Sequence, residues 1–480
     1  MAWFMGILKN FFGKIELIFT VALCLALIYG IFLITFKPPE IILMGFYLFF
    51  CCTSILVTFF IRKSLLNSGM IVRILFIVSI AWLIRITVSH YLDLTQKGDY
   101  GSYLSVAGKL SAGTFTHKLY YGIFPHALNY PIFLSLIYKL IGNQTWLVAF
   151  INIICGLVET GCAVAIAEKS AGKKFGLIAG LAIALNPSSI IFTNFAGGEP
   201  VYSAVIMAAL LCFVNVGRNN PKKAIVFTAL TGVICGVGNF FRPTGIIFLI
   251  ACGIMLLLFE KFPLKMRLIR TAVLIVSYMA IIFITGRLTY HYSGYEKPSH
   301  GYGWNLYVGA NEESKGFWSA QDSEEFLRVE LKKRDASAIL AHFAKEGVKR
   351  YYEMKSRIVL HFVNKLSIWF DESFVAKSVT SWQNNRTIFK SADIAQSYTL
   401  LCFSYNLFVI AGAIAAMICL GISKNPPPGL KAASTYMLGC VLVFMVLEAG
   451  RRYKGAYYSI LTLLGAYGIC FVVGKIRKTS

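Results

Sequence analysis

Apolar runs of about 20 residues recur along the chain, and each is long enough to cross the hydrocarbon core of a bilayer as a helix. The composition agrees with this pattern, because 57% of the 480 residues are hydrophobic and only 14% are charged. A soluble globular domain usually carries a larger charged fraction. The sequence therefore predicts an all-α polytopic membrane protein.

We expect about twelve spans from the distribution of hydropathy. The first apolar run follows polar and basic residues but is not followed by a small-residue cleavage site, which favours an uncleaved span over a signal peptide. The expected spans lie near residues 15–36, 41–61, 71–91, 145–167, 176–194, 200–216, 223–240, 244–259, 268–289, 398–420, 432–448 and 456–474.

Basic residues occupy every second short loop, from Lys9 before the first span to Lys475 after the last. The positive-inside rule places these loops and both termini in the cytoplasm. The two long polar segments, 92–144 and 290–397, then lie together on the opposite face. Topology and contact with anionic membrane lipids account for the net charge of +24. No base-reading module is evident, so we do not expect nucleic acid as a partner.

This topology divides the chain into an N-terminal transmembrane hairpin (1–66), a transmembrane core (67–290), an extracytoplasmic domain (291–397) and C-terminal transmembrane helices (398–480). The first extracytoplasmic loop, 92–144, belongs to the core. Outside the spans, we expect an interfacial helix at 100–112, a partly buried turn with a second interfacial segment at 117–133, a loop at 300–318, a solvated helix pair at 322–356 and an interfacial segment at 357–370.

Metal and disulfide chemistry find little support in the sequence. All twelve cysteines fall inside the expected spans, which argues against a disulfide framework or a cysteine-based zinc site outside the membrane. The seven histidines lack the spacing of metal ligands. We therefore predict no metal site and no certain cofactor, and a divalent metal stays open as an alternative without a clear ligand set.

Acidic residues stand at the ends of two expected spans. Asp99 heads the interfacial helix, where it would cap the helix N-terminus, act as a general base at the membrane surface, or do both. Asp93 is a second candidate for the base, or an ordinary polar flank of the preceding span. Glu199, directly before Pro200, would either cap or solvate a helix end, or would orient an acceptor or hold a cation.

Basic residues on the side opposite the cytoplasm run against the orientation rule and need another explanation. Arg242 lies between two expected spans, and Arg451, Arg452 and Lys454 follow Glu448 between the last two. These cations would either extend to lipid headgroups or form a lipid-phosphate site, since guanidinium groups donate well to phosphate oxygens. Their clustering favours the phosphate site.

The order of these elements resembles GT-C class membrane glycosyltransferases, in the branch of protein O-mannosyltransferases and aminoarabinose transferases (related to glycosyltransferase family 39). The resemblance covers roughly 71–260 and 430–470. Its motif residues are Asp99, Tyr103, Ala107, Leu110, Gly113, Tyr130, Pro131, Gly142, Trp146, Glu199-Pro200, Arg242-Pro243 and Glu448 to Tyr453.

The resemblance implies a GT-C-like fold and a donor sugar on a polyprenyl phosphate. Asp99 would deprotonate an acceptor hydroxyl, with Asp93 and Glu199 as further catalytic candidates, and the sugar would be transferred with inversion. Arg242, Arg451 or Arg452 would stabilise the leaving phosphate. The other residues assigned to substrate binding are Arg287, Tyr103, Glu448, Tyr453, Lys454, Trp304 and Asn305.

Three departures from the family pattern matter. Two spans, which look like an added N-terminal hairpin, precede the one that normally leads into the acidic loop. Many relatives have Asp-Glu at the first acidic position, whereas this chain has Asp99-Tyr100 and lacks a carboxylate pair that could share a divalent metal. The segment 300–318 is rich in glycine and aromatic residues, and Trp304, Tyr307 or Trp318 would either stack on a sugar or pack locally.

Several alternatives stay open at this point. The acceptor could be a cell-envelope lipid, a glycan polymer or a protein. The expected location is a bacterial plasma membrane with an extracytoplasmic active site. A transporter or flippase for a lipid-linked glycan would share the cationic span ends, although it would more naturally carry polar groups through the membrane midplane. A non-catalytic membrane scaffold would not need so many acids and arginines at span ends.

Overall fold

The computed structural model describes residues 38–92, 94–116, 119–215, 220–260, 262–294, 301–333, 335–369, 371–372, 374, 378, 382, 392–423 and 425–479. This part of the chain is helical, as the sequence predicts. The first expected span, 15–36, and the catalytic candidate Asp93 lie outside the described residues. The described cysteines are all free thiols.

The helices before the central polar region are named in chain order. They are α1 (Pro38–Asn67), α2 (Met70–Tyr91), α3 (Gly98–Ser111), α4 (Leu119–Ile123), α5 (His126–Ile141), α6 (Leu147–Ala171), α7 (Lys173–Ala184), α8 (Pro187–Phe192), α9 (Glu199–Val214), α10 (Pro221–Phe241), α11 (Gly245–Ile254) and α12 (Leu264–Ser293). Helix α11 continues into a π-helical turn, Met255–Phe259.

The remaining helices are α13 (Tyr302–Gly309), α14 (Ala320–Lys333), α15 (Ala336–Met354), α16 (Ile358–Leu366), α17 (Ala392–Ile422), α18 (Pro428–Val446) and α19 (Tyr458–Thr479). A 3₁₀ turn at Arg451–Ala456 joins α18 to α19, and we call it the arginine turn.

Six helices in the described part of the chain are long and apolar enough to cross a membrane: α2, α6, α10, α12, α17 and α18. Shorter apolar helices include α9, α11 with its π turn, and most of α19. The chain is therefore an integral membrane protein with multiple apolar helices. The larger count of about twelve spans stays a prediction.

The expected span 176–194 is two helices, α7 and α8, with a break at Asn186-Pro187. Proline has no N–H to donate within a helix, so it suits the first turn of a new one. The Asn186 side chain caps that new helix, because its oxygen accepts from the Ser189 N–H at 3.1 Å. Hydropathy alone does not reveal this break, because the segments on both sides of it are apolar.

Two segments expected to be irregular are helical. The segment 300–318, expected as a loop, contains α13, and the expected turn at 117–133 contains α4 and the start of α5. Pro131 lies inside α5, where it removes a single backbone hydrogen bond. In both cases, aromatic packing against other helices compensates for weak local helix propensity.

The polar helices α13, α14 and α15 share an aromatic core. The Trp304 ring centroid lies 5.0 Å from that of Phe326 and 5.1 Å from that of Phe343, and Phe124 from the α4–α5 segment joins the same cluster. Buried Asp322 accepts from Arg350 at 2.9 Å and from Asn311 at 2.8 Å, so its charge is paired. The core fixes α13 and α14 above the ends of the apolar helices.

Helix α16 has its basic residues on the buried side and apolar residues on the exposed side. His361 and Lys365 are buried, whereas Val359, Leu360 and Val363 are exposed. Lys365 Nζ donates to the carbonyl oxygens of Gly309 and Leu447, each at 2.8 Å. This contact joins α16 to the end of α13 and to the end of α18, and its exposed apolar side suits an interfacial position, as expected for 357–370.

Candidate functional site

A cavity of about 1,420 Å³ opens where the ends of the apolar helices meet the polar helices. One wall is apolar and comes from α11 and α18, with Ile246, Ile247, Val443, Phe444 and Leu447. A polar rim comes from α13 and α14. Charged side chains from α3, α9, the end of α10 and the segment from the end of α18 through the arginine turn also line the cavity: Asp99, Glu199, Arg242, Glu448, Arg451 and Arg452.

Asp99 pairs with an arginine that lies far away in the sequence. It occupies the first turn of α3, but the N-cap position belongs to Lys97, so the expectation of an Asp99 N-cap is wrong. The carboxylate instead accepts a hydrogen bond from the Arg452 guanidinium. Its side chain is 48% exposed and lines the cavity. Asp99 is therefore paired and also accessible to a substrate.

Glu199 forms a second, deeper pair. It begins α9, is 4% exposed in its side chain and pairs with Arg242. The Tyr100 hydroxyl donates to Glu199 Oε1 at 3.4 Å. Gly197 permits this arrangement, since a Cβ there would lie 2.2 Å from Glu199 Oε2 and 2.5 Å from the Tyr100 ring. The interpretation of Glu199 as a solvated helix end is wrong, because the carboxylate is buried.

Tyr453 connects the two ion pairs. The Cζ atom of Arg242 lies 5.1 Å from the Tyr453 ring centroid, and that of Arg452 lies 5.5 Å from it. Both distances fall within the range of cation–π attraction. Asp99, Glu199, Arg242, Arg452 and Tyr453 thus form one unit, which we call the arginine–carboxylate cluster.

The remaining residues of the arginine turn have different surroundings. Arg451 pairs with Asp371, lines the cavity and lies 4.9 Å from the Phe317 ring centroid. Lys454 is buried and pairs with Glu372 at 2.8 Å, and it is not part of the cavity lining. Substrate contact, which the resemblance implies for Lys454, therefore has no support in the geometry.

Arg287 also lies away from the cavity. It is exposed on α12, with its Cζ atom 5.4 Å from the Phe283 ring centroid, and it does not line the cavity. Arg242, Arg451 and Arg452 are thus the predicted phosphate-binding arginines that the structure brings together.

Glu448 and Asn305 meet at the edge of the cavity. The Glu448 N–H donates to the Asn305 carbonyl at 2.7 Å, which ties the end of α18 to α13. Burial raises the pKa of Glu448, while the Arg452 charge and a hydrogen bond from Tyr453 oppose that shift. A carboxyl with a raised pKa keeps its proton to higher pH than an exposed glutamate.

The aromatic candidates for substrate binding differ in their exposure to solvent. Trp304 is buried in the core of the polar helices and reaches the cavity with one edge, and Tyr103 packs 6.0 Å from Tyr130, measured between ring centroids. Trp318 lines the cavity and is 62% exposed. Local packing therefore explains Trp304 and Tyr307, whereas the Trp318 ring is free to meet a ligand.

Sequence reasoning missed Tyr100, Asp371 and Glu372. Tyr100 contacts both ion pairs, because it donates to Glu199 and its ring centroid lies 5.6 Å from Arg452 Cζ. Asp371 and Glu372 pair with the arginine turn. One sequence feature could have identified Asp371 and Glu372, because they form a pair of acids directly after the apolar stretch 357–370. Within the described residues, no group of three or more His, Cys, Asp or Glu side chains is arranged to hold a metal ion.

Comparison with known families finds a match to part of the chain. Residues 125–286, which include Glu199 and Arg242, match the family model described as dolichyl-phosphate-mannose-protein mannosyltransferase. The resemblance that the sequence indicates is confirmed over this segment. A comparison with curated proteins finds no match.

Among solved structures, the chain is similar to an oligosaccharyltransferase from Archaeoglobus fulgidus, in a complex with zinc and sulfate (TM-score 0.48, 11% identity). That alignment covers 84% of this chain and 49% of the archaeal protein, so the chain spans about half of that relative's length. ArnT from Cupriavidus metallidurans, bound to undecaprenyl phosphate, aligns with a TM-score of 0.41 and 14% identity, over 82% of this chain and 77% of ArnT.

Proposed function

We propose that this protein is a membrane glycosyltransferase that moves a sugar from a polyprenyl-phosphate donor to an acceptor hydroxyl. The observation that carries the proposal is the arginine–carboxylate cluster on the wall of a large cavity. Two carboxylates and two guanidinium groups meet there, in a cavity that also has an apolar wall and an exposed tryptophan. A base and phosphate-binding cations are the groups that this reaction requires.

The distribution of apolar and charged residues in the cavity supports one orientation for the donor. The wall formed by α11 and α18 offers apolar side chains to a prenyl chain, and it leads to Arg242 and Arg452. Guanidinium groups donate two parallel hydrogen bonds to phosphate oxygens and stay charged at all physiological pH values. The prenyl chain would therefore follow the apolar wall and place its phosphate at these arginines.

Asp99 is better placed than Glu199 to act as the base. Its carboxylate is half exposed to the cavity, whereas the Glu199 carboxylate is buried against Arg242 and Tyr100. In the proposed step, Asp99 takes the proton of the acceptor hydroxyl and the acceptor oxygen forms a bond to the anomeric carbon. The bond from that carbon to the phosphate oxygen breaks, polyprenyl phosphate leaves with the electron pair, and the configuration inverts.

Arg452 has a double role in this scheme. In the absence of substrate its guanidinium donates to Asp99. A donor phosphate that recruits Arg452 competes with that hydrogen bond and frees a carboxylate oxygen for the acceptor proton. Donor binding would then precede productive acceptor binding.

The acceptor would enter along the rim formed by α13 and α14. Trp318 offers an exposed ring there, and Ser323 and Glu330 add polar groups. An open aromatic ring beside hydrogen-bonding groups suits a hydroxyl-rich acceptor such as a glycan.

Incubation of the purified protein with a panel of polyprenyl-phosphate sugars and glycan acceptors tests the proposal. We expect one donor to be consumed, with release of polyprenyl phosphate that depends on the acceptor. Movement of the intact donor across a liposome membrane without its consumption would contradict the proposal and favour a flippase.

A further inference from the structure

Glu372 is a buried carboxylate with a complete set of hydrogen-bond donors. It is 2% exposed and accepts from Ser188 of α8 at 3.0 Å, Asn406 of α17 at 2.8 Å, Tyr458 of α19 at 2.8 Å and Lys454 of the arginine turn at 2.8 Å. Buried charges persist in proteins when they are paired and fully hydrogen-bonded. Glu372 thus joins four separate elements at one point outside the cavity lining.

The arginine turn is held at both ends by the same short segment. Lys454 Nζ donates to Glu372 and also to the Asp371 carbonyl at 2.6 Å, and Arg451 pairs with the Asp371 carboxylate. Gly455 brings this turn against α8, since a Cβ there would lie 2.5 Å from the Phe192 ring. Arg452 and Tyr453, which belong to the arginine–carboxylate cluster, lie between these two attachments.

We propose that the buried Lys454–Glu372 pair is a positioning device that sets where Arg451 and Arg452 present their guanidinium groups to the donor phosphate. This inference rests on the proposed function, because it assigns the pair a role in polyprenyl-phosphate binding. Lys454 and Glu372 do not line the cavity, so they act through the arginine turn and not by touching the substrate.

The charges of Lys454 and Glu372 explain how the pair positions the arginine turn. Loss of one partner leaves the other as an unpaired buried charge, which must draw in water or move. Since Lys454 is part of the arginine turn, that movement displaces Arg451 and Arg452. Removal of both charges avoids the unpaired state and preserves more of the turn geometry.

The test measures binding of undecaprenyl phosphate to detergent-purified protein through intrinsic tryptophan fluorescence, because Trp318 and Trp382 line the cavity. We expect Glu372→Gln to raise the Kd and the donor KM by about tenfold, a change of about 1.4 kcal/mol in binding. The acceptor KM should stay unchanged. The double variant Glu372→Gln with Lys454→Met should bind the lipid more tightly than Glu372→Gln alone.

Glu168→Gln is the matched control, because Glu168 forms a comparable ion pair with buried Arg73 at a distance in the fold from the cavity lining. It should lower the melting temperature and leave lipid binding intact. Equal Kd values for Glu372→Gln and wild type, or equal losses in Glu372→Gln and Glu168→Gln, would overturn the positioning role. Failure of the wild-type protein to bind undecaprenyl phosphate would instead overturn the proposed donor class, and the role of the pair with it.

Discussion

Individual charged residues in the cavity have partners before any substrate arrives. Asp99 is paired with Arg452, Glu199 with Arg242 and Arg451 with Asp371. These pairs keep the guanidinium groups in fixed positions without leaving a lone charge on the cavity wall. In the proposed mechanism, chemistry at Asp99 would depend on the rearrangement of one hydrogen bond and not on a movement of whole helices.

Asp99→Asn should reduce sugar transfer by about 10²-fold or more, because an amide cannot accept the acceptor proton. Binding of undecaprenyl phosphate should remain, since Arg242, Arg451 and Arg452 are unaltered. Turnover assays and lipid-binding measurements on the same preparation separate the two effects. Glu325→Gln is the control, because its carboxylate pairs with Arg328 at the surface of α14 and lies outside the cavity lining. Wild-type turnover by Asp99→Asn would remove the assignment of the base.

Lys365 should make stability depend on pH. Burial lowers its pKa from 10.5 to about 7, and the charge of Glu448 opposes that shift. Between these two values the unfolded chain binds a proton that the folded protein lacks, so the free energy of unfolding rises with pH, by at most about 1.4 kcal/mol per pH unit. Melting temperatures at pH 7 and pH 9 should show the increase in wild type.

In Lys365→Met this contribution should disappear. The neighbouring groups His361 and Tyr351 also contact the Gly309 carbonyl, so the variant and wild type must be compared in the same buffers. An identical rise with pH in both proteins would show that another group is responsible.

The sequence identified most of the charged residues around the cavity but not their pairing. Asp99 and Arg452 are 353 positions apart, and nothing local to either residue indicates the other. The same holds for Glu372 and Lys454, which are 82 positions apart. Charged residues at span ends are visible in a sequence, whereas the partner of each depends on how the helices pack.

At the scale of helices, the end of α13 approaches α18 closely. A Cβ on Gly309 would lie 2.5 Å from the Leu447 carbonyl carbon and 2.6 Å from the Val446 oxygen. The Gly309 carbonyl also accepts from Lys365 and from Tyr351, the latter at 2.9 Å. The position of the cavity rim relative to α18 is set at this contact.

Gly309→Ala should separate α13 from α18 and cost about 1–3 kcal/mol of stability, as overpacked sites do. The melting temperature and the rate of transfer should both fall. Gly286→Ala on α12 is the control, since an added Cβ there meets no atom within 4 Å. Unchanged behaviour of Gly309→Ala would show that the contact between α13 and α18 is more tolerant than the geometry implies.

Helices were predictable from hydropathy where they are long and apolar. Expected spans such as 71–91 and 223–240 agree closely with α2 and α10. The break at Asn186-Pro187 and the short helix α13 were not predicted, because each depends on contacts made elsewhere in the fold. Glycine and aromatic residues in 300–318 suggested a loop, although Trp304 and Tyr307 stabilise a helix by packing on α14 and α15.

At the scale of the whole molecule, the cavity has both an apolar wall and a polar rim. This arrangement separates the two proposed substrates, because the wall from α11 and α18 suits a lipid and the rim from α13 and α14 suits a water-soluble group. The sequence predicted that the two long polar segments lie together beside the ends of the spans. It could not predict the cavity, whose lining combines residues from Lys97 to Tyr453.

The separation predicts that donor and acceptor affinities can be altered independently. Arg452→Ala should raise the donor KM by about tenfold or more, which is the cost of one charged hydrogen bond to phosphate. Trp318→Ala should raise the acceptor KM and leave the donor KM unchanged. Initial-rate measurements with each substrate varied in turn provide the comparison, with Trp146→Ala, outside the cavity lining, as the control. Parallel changes in both constants for both variants would contradict the division.

The size of the cavity has a consequence for inhibition. At about 1,420 Å³ it exceeds the roughly 300–1,000 Å³ of an ordinary small-molecule pocket. A compound that mimics the donor alone would leave the rim from α13 and α14 hydrated. A compound that mimics the acceptor alone would make no contact with the arginines. A single molecule that links a prenyl phosphonate to a glycan fragment would occupy both ends, and the second contact would form at the high effective concentration that covalent linkage provides.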